Sequence, residues 1–135
     1  MSRENLELLM RVGEAFNEKG WEGIFDFVAP EFEFHEPPEQ PGATVFRGIE
    51  EAKAGTARWA ETWTEQTSEL QDVRELPEGR ILVLSLQRMR GRDGIQVEQP
   101  NASIFTFEHG RIVRLQSFWD QPTALEAVGL SQSGS

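Results

Sequence analysis

Glu36 is the first candidate for chemistry in this chain. A carboxylate walled by Phe34, Trp59 and Trp63 loses part of its hydration, and desolvation raises a carboxyl pKa towards the range of a useful general base. The same stretch is acidic throughout, because Glu31, Glu33 and Glu39 flank Glu36. A run of that kind also fits a solvated edge, so the two readings of Glu36 stand side by side. Asp120 is the second candidate. It precedes Gln121-Pro122-Thr123, a spacing that suits a helix N-cap whose carboxylate accepts from a backbone N–H in the first turn.

Several chemistries are excluded by what the chain lacks. It has no cysteine, hence no disulfide framework, thiolate metal site or cysteine nucleophile. It has nine Phe and four Trp but no Tyr, so no phenol can serve as acid or donor. His35 and His109 are its two histidines, far apart and outside any HxH or HxxxH spacing, and no metal is expected. Phosphate-cradling glycine loops and the GxSxG elbow are absent, and no cofactor is expected. Net charge is −10, which repels a polyphosphate backbone. Arg88, Arg90 and Arg92 at strand spacing read as a solvated face, so no nucleic acid is expected. The charged opening MSRENLELL lacks an apolar signal core, and no run approaches membrane-spanning length. The expected location is the cytoplasm, with no membrane partner.

The elements that must position these residues follow from periodicity. At 135 residues one domain over 1–130 is expected, with residues 131–135, SQSGS, as a disordered tail. Ser2 caps a first helix running to about Glu18, with Leu6, Leu9, Gly13 and Phe16 on one stripe. A short second helix carries Trp21, Ile24, Phe25 and Val28 and closes at Pro30. Phe32 to Glu36 alternates as a short strand that Pro37-Pro38 ends. Residues 37–47 read as a loop. Gly48 opens a third helix with Ile49, Ala52, Thr56, Trp59 and Trp63 facing inward. Four long strands follow, over about 64–76, 80–90, 96–108 and 111–119. Asp120 and Pro122 then start a last short helix. The hairpin at Glu108-His109-Gly110 joins two runs of period two, and Gly110 supplies the positive φ of a tight turn. Helices segregated from an antiparallel sheet make an α+β domain.

The order of elements, the FHEPPEQPG…FRGIEEA segment and the EHGRI…FWD ending resemble the nuclear-transport-factor-2-like superfamily. Its SnoaL-like polyketide cyclases and ketosteroid isomerases are the branches this chain is most similar to. The terminal ALEAVGL resembles SnoaL-like endings. The resemblance spans roughly Leu6 to Leu130. It implies a cone, with a curved sheet wrapped around three N-terminal helices, a short C-terminal helix and a deep pocket at the open end. It also implies a homodimer through the convex sheet face.

The His-Glu-Pro context of Glu36 resembles the segment carrying the general-base aspartate of ketosteroid isomerases. In those enzymes a tyrosine and a protonated aspartate hold the enolate oxygen. Ungapped register puts Val12 and Ser103 at those positions, so isomerisation of the usual steroid type is not expected. One such donor is worth about 10²–10³ in rate. The same register turns Leu84, Leu86 and Arg88, then Gln99, Asn101 and Ser103, then Leu115, Ser117 and Trp119 towards the pocket, with Phe25 among its walls. Arg88 there pairs with Glu36 or a ligand anion, or is a surface strand residue. Gln99 and Asn101 orient a carbonyl or satisfy sheet-edge waters. Asp120 resembles the acid/base aspartate of SnoaL-like cyclases, although helix capping accounts for it better. Three functions are open: cofactor-independent proton transfer on a hydrophobic carbonyl compound, non-catalytic binding of a small hydrophobic ligand, and a dimeric protein-interaction module.

Overall fold

A computed structural model describes residues 3–130, and at Trp59 and Ala60 the backbone alone. The Ser2 cap, the 131–135 tail and the side chain of Trp59 lie outside the described residues. Helix α1 spans Arg3–Lys19 and buries Leu8, Leu9, Val12 and Phe16 at intervals of one, three and four. Gly20 turns the chain at φ +66, and α2 follows over Trp21–Ile24. Gly23 lies against α1 so closely that a β-carbon there would overlap the carbonyl of Ala15. A 3-10 turn, Phe25–Phe27, leads into β1, Val28–His35.

The strand therefore starts earlier than expected, and Pro30 sits inside it rather than closing a helix. This is tolerated because β1 breaks register between Val28 and Glu33, where a missing N–H leaves no ladder bond unmade. The expected loop over 37–47 ends in a short strand β2, Val45–Arg47, paired with Glu33, Phe34 and His35. Three residues are too few to show alternation. Helix α3 spans Ile49–Thr62, and β3 covers Trp63–Leu76. Trp63 is thus the first residue of a strand, paired with Gly91, and not the last residue on a helical stripe. Then come β4, Arg80–Gly91, β5, Gln96–Glu108, β6, Arg111–Phe118, and α4, Gln121–Ala127.

The six strands form one open sheet in the order β2-β1-β6-β5-β4-β3. β1 and β6 run parallel and every other pair is antiparallel. Register shifts in β3 and between β5 and β6 mark bulges, which bend strands and add twist. The α+β class, the N-terminal helices on a curved sheet and the short C-terminal helix are those expected.

Each sheet face has its own apolar cluster. The inner face buries Phe32, Phe34, Ile81, Val83, Phe105, Phe107, Ile112 and Leu115 against α1, α2 and α3. The outer face buries Leu82, Leu84, Ala102, Ile104 and Phe118 under Ala124 and Leu125 of α4. The outer face expected to pair two copies is therefore covered over part of β4, β5 and β6 by the chain's own last helix. Among the described residues no helix is long and apolar enough to cross a membrane.

Candidate functional site

The register converts the inner face into rows of rising polarity. Phe34, Leu115, Phe105 and Ile81 are successive cross-strand partners and form an apolar floor. One row up, Ser117, Ser103 and Val83 are partners. Glu36, one residue past β1, is level with this row, because His35 pairs with Gln116. Then come Asn101 and Ser85, and above them Gln99, Gln87 and Ser68. Ser85 Oγ donates to Asn101 Oδ1 at 2.8 Å, which leaves the Asn101 amide hydrogens for another acceptor. Gln99 Nε2 donates to the Trp119 carbonyl at 3.3 Å.

The β1–β2 connection builds the mouth. Glu36 N donates to Thr44 O at 3.0 Å, and Thr44 N donates to Glu36 Oε1 at 3.0 Å. Glu39 Oε2 accepts from the backbone N–H groups of Trp119 and Asp120, both at 3.2 Å. This loop is therefore tied to the end of β6. Between it and α3 is an open depression of about 210 Å³ lined by Glu36, Gln40, Gly55, Arg58 and Thr62. A β-carbon at Gly55 would come within 2.6 Å of the Phe46 ring, so the glycine lets α3 settle on β2. Arg58 is exposed and makes no ion pair among the described residues.

The expected site residues are distributed unevenly around this depression. Gln99, Asn101 and Ser103 are on the inner face above the apolar floor. Trp119 is half-buried just past β6, and Trp63 is half-buried with an indole N–H that meets no acceptor among the described residues. Phe34 is buried in the core, its ring centroid 5.1 Å from that of Trp21 and 6.2 Å from that of Phe46. It backs Glu36 rather than lining the opening. Phe25 packs edge-on to Phe32 at 6.3 Å, with Lys53 Nζ 5.7 Å from its ring centre, and so belongs to the core beneath.

Leu86 and Arg88, with Leu84, face the other way. Arg88 is on the outer face, 2.7 Å from Glu69 and 2.9 Å from Glu98. The hydrogen bonds it donates to Glu69 first and Glu98 second raise its pKa. It cannot meet Glu36 through the sheet. The error has a physical origin: after Arg80, β4 runs Ile81-Leu82-Val83-Leu84, all buried, so alternation does not mark its faces, and a slip of one residue exchanges them. Ser85, Gln87 and Met89 take the inner positions instead. His35 is on the outer face, opposite in parity to Phe34 and 3.0 Å from Glu33. That hydrogen bond, followed by the charges of Arg114 and Arg47, lowers the Glu33 pKa against a raising effect of burial.

Asp120 caps α4. Its backbone is extended, and its carboxylate accepts from Thr123 N at 2.7 Å; the Thr123 side chain first and this backbone bond second lower its pKa. A carboxyl with a lowered folded pKa contributes stability above its ordinary value of 3.8, and that contribution is lost as pH falls through the lowered folded value. Asp120→Ala is accordingly expected to melt below the wild type at pH 7, with the gap closing as the pH drops through that window. Asp120→Asn, which retains a capping oxygen but not the charge, is expected to melt between Asp120→Ala and the wild type at pH 7. Thermal melts of both variants between pH 7 and pH about 2 check this; a large loss in Asp120→Asn would show that the charge has a further role.

Sequence reasoning missed Arg58, Gln40, Thr62 and Gly55. The available signal was the spacing of Gly55, Arg58 and Thr62, which share one side of α3 flanking the buried Ala52 and Thr56. Among the described residues no group of three His, Asp or Glu side chains is arranged to hold a metal ion.

With this geometry in hand, known proteins can be set beside the chain. The model of the SnoaL-like domain family matches residues 10–115. An uncharacterised protein of Mycobacterium tuberculosis is 32% identical over 126 residues, which are 91% of this chain and 94% of that protein. A solved NTF2-like protein of unknown function from Burkholderia pseudomallei superposes with a TM-score of 0.75 at 21% identity, covering 96% of this chain and 99% of the other. TerC, crystallised with polyporic acid, superposes at 0.74 with 16% identity, covering 93% and 97%. At such identities the two structures speak for the fold. The family match spans most of the sheet, α2, α3 and α1 from Met10 onward, and on that ground the chain belongs to the SnoaL-like domain family.

Proposed function

We propose that this protein holds a small hydrophobic carbonyl compound in its cone and transfers a proton on it without a cofactor, with Glu36 as the base. The observation that carries this reading is the position of Glu36. It stands where the polar rows of the inner face meet the open depression. Thr44 N holds one of its oxygens, which fixes the carboxylate and leaves the other oxygen to accept a proton. Ser103, Ser117 and the Asn101 amide are donors on the same face for an oxygen that gains charge. Val12, at the position where the resembling isomerases carry tyrosine, is buried in the core and offers no donor. Trp63 and Trp119 supply aromatic wall, and Asp120 has its carboxylate engaged in capping.

A second reading, binding without turnover, is favoured by one observation. Glu36 engages Thr44 through both its backbone and its side chain, so its carboxylate also serves to close the loop. Both readings require a ligand in the cone. A thermal-shift panel of planar polyketides, steroids, terpenoid ketones, short aromatic acids and polyporic acid tests that requirement. A compound at a hundredfold over its Kd is expected to add about 2.7 kcal/mol, several degrees in Tm. No shift across the panel would overturn both readings and move attention to a protein partner.

A further inference from the structure

We infer that the ligand of this pocket is an organic anion whose carboxylate or enolate oxygens are held by Arg58. The inference rests on the pocket reading above and adds the chemical class.

The chain has 23 acidic and 13 basic residues, and among the described residues four of its arginines pair with carboxylates. These are Arg47, Arg74, Arg88 and Arg114. Arg58, like other basic residues of the chain, makes no ion pair among the described residues, although Glu36 lines the same depression. The reason is that the Glu36 carboxylate is turned to the backbone of Thr44. A guanidinium and a carboxylate are thus kept on opposing elements, with an open gap of about 210 Å³ between them.

That gap suits an anionic fragment. The guanidinium is planar and offers two parallel N–H donors matched to a carboxylate or an enolised dicarbonyl. Gln40 and Thr62 add neutral polar groups beside it, and Gly55 forms part of the wall. A ligand anchored there extends past Glu36 towards Ser117, Ser103 and the apolar floor. Its acidic C–H then lies beside the base, and its apolar part leaves water. Charge also favours this order. A neutral ligand would leave Arg58 with nothing to neutralise. An anion brought beside Glu36 without Arg58 would meet only like charge, in a chain of net charge −10.

Phenylpyruvate and 2-naphthylacetate, each compared with its methyl ester, separate charge from shape. Titration calorimetry at about 0.15 M salt, where distant charges are screened, is expected to show each acid bound at least about tenfold tighter than its ester, as a charge-assisted pair would give. Arg58→Gln is expected to remove that preference and Arg58→Lys to keep part of it. Arg58 is exposed, and a melt of each variant verifies folding. Esters that bind as tightly as acids, or an Arg58→Gln protein that still prefers acids, would overturn the anion assignment and leave the pocket reading standing. If neither acids nor esters bind, both fall.

Discussion

Glu36→Gln is expected to slow solvent-deuterium uptake at the acidic C–H of a bound carbonyl compound by about 10²–10⁴-fold, while its affinity stays within a few-fold. The two effects separate because of what each Glu36 oxygen does. Oε1 accepts from Thr44 N, and a glutamine carbonyl can accept the same bond. The loop therefore keeps its closure and the depression its shape. The amide has no basic oxygen, so only proton abstraction is lost. Glu36→Ala is the contrasting variant: it removes the loop contact as well and is expected to weaken binding too. Proton NMR in D₂O on a compound that passes the thermal-shift panel reads both quantities. Unchanged exchange in Glu36→Gln would sink the assignment of the base. Lost binding in the same variant would make Glu36 a structural brace.

The fold was largely legible because long strands and amphipathic helices declare their period. Helix α1 shows its buried stripe at Leu9, Val12 and Phe16. The β5–β6 hairpin shows its turn at His109 and Gly110, with φ of 52 and 75, between the paired Glu108 and Arg111. The losses occurred where local pattern is degenerate. β2 is three residues long. Trp63 continues a helical stripe in spacing yet starts a strand, because α3 ends at Thr62 and Trp63 finds Gly91 across the ladder. β4 is apolar at both parities, so Arg88 was turned to the wrong face.

The site follows the same division. Glu36 and the polar positions of β5 were legible because proline ends β1 just beyond Glu36 and because β5 alternates. Arg58 was not, since a lone arginine on a helix flank resembles any solvated residue. The role proposed for it depends on the loop folding back and Glu36 turning to Thr44. That contact spans eight residues and depends on the Gly42 turn at φ +73, which periodicity does not describe.

Phe32→Ala tests whether the inner core positions the site, and it is expected to destabilise the protein by about 3–5 kcal/mol, lowering Tm by roughly 10–20 °C in a domain of this size. Phe32 is 1% exposed and among the largest fully buried side chains. Its ring meets Phe25 edge-on at 6.3 Å. Its carbonyl accepts from Gly48 N at 2.7 Å, at the turn into α3. The void left by alanine would be bounded by strand backbone on one side and helices on the other. Neither can collapse without breaking the ladder, so the cost falls in the upper part of the large-to-small range. Phe32→Leu keeps most of the volume and is expected to cost less than half as much. The same void lies beneath the candidate site, because β1 leads into Glu36 four residues further on and α3 carries Arg58. Any folded Phe32→Ala protein is therefore expected to bind the acids of the calorimetric test more weakly than wild type, even below its own Tm. A variant that melts within about 2 °C of wild type would mean that Phe32 does not fill the inner core, and the coupling of β1 to α3 would need another source.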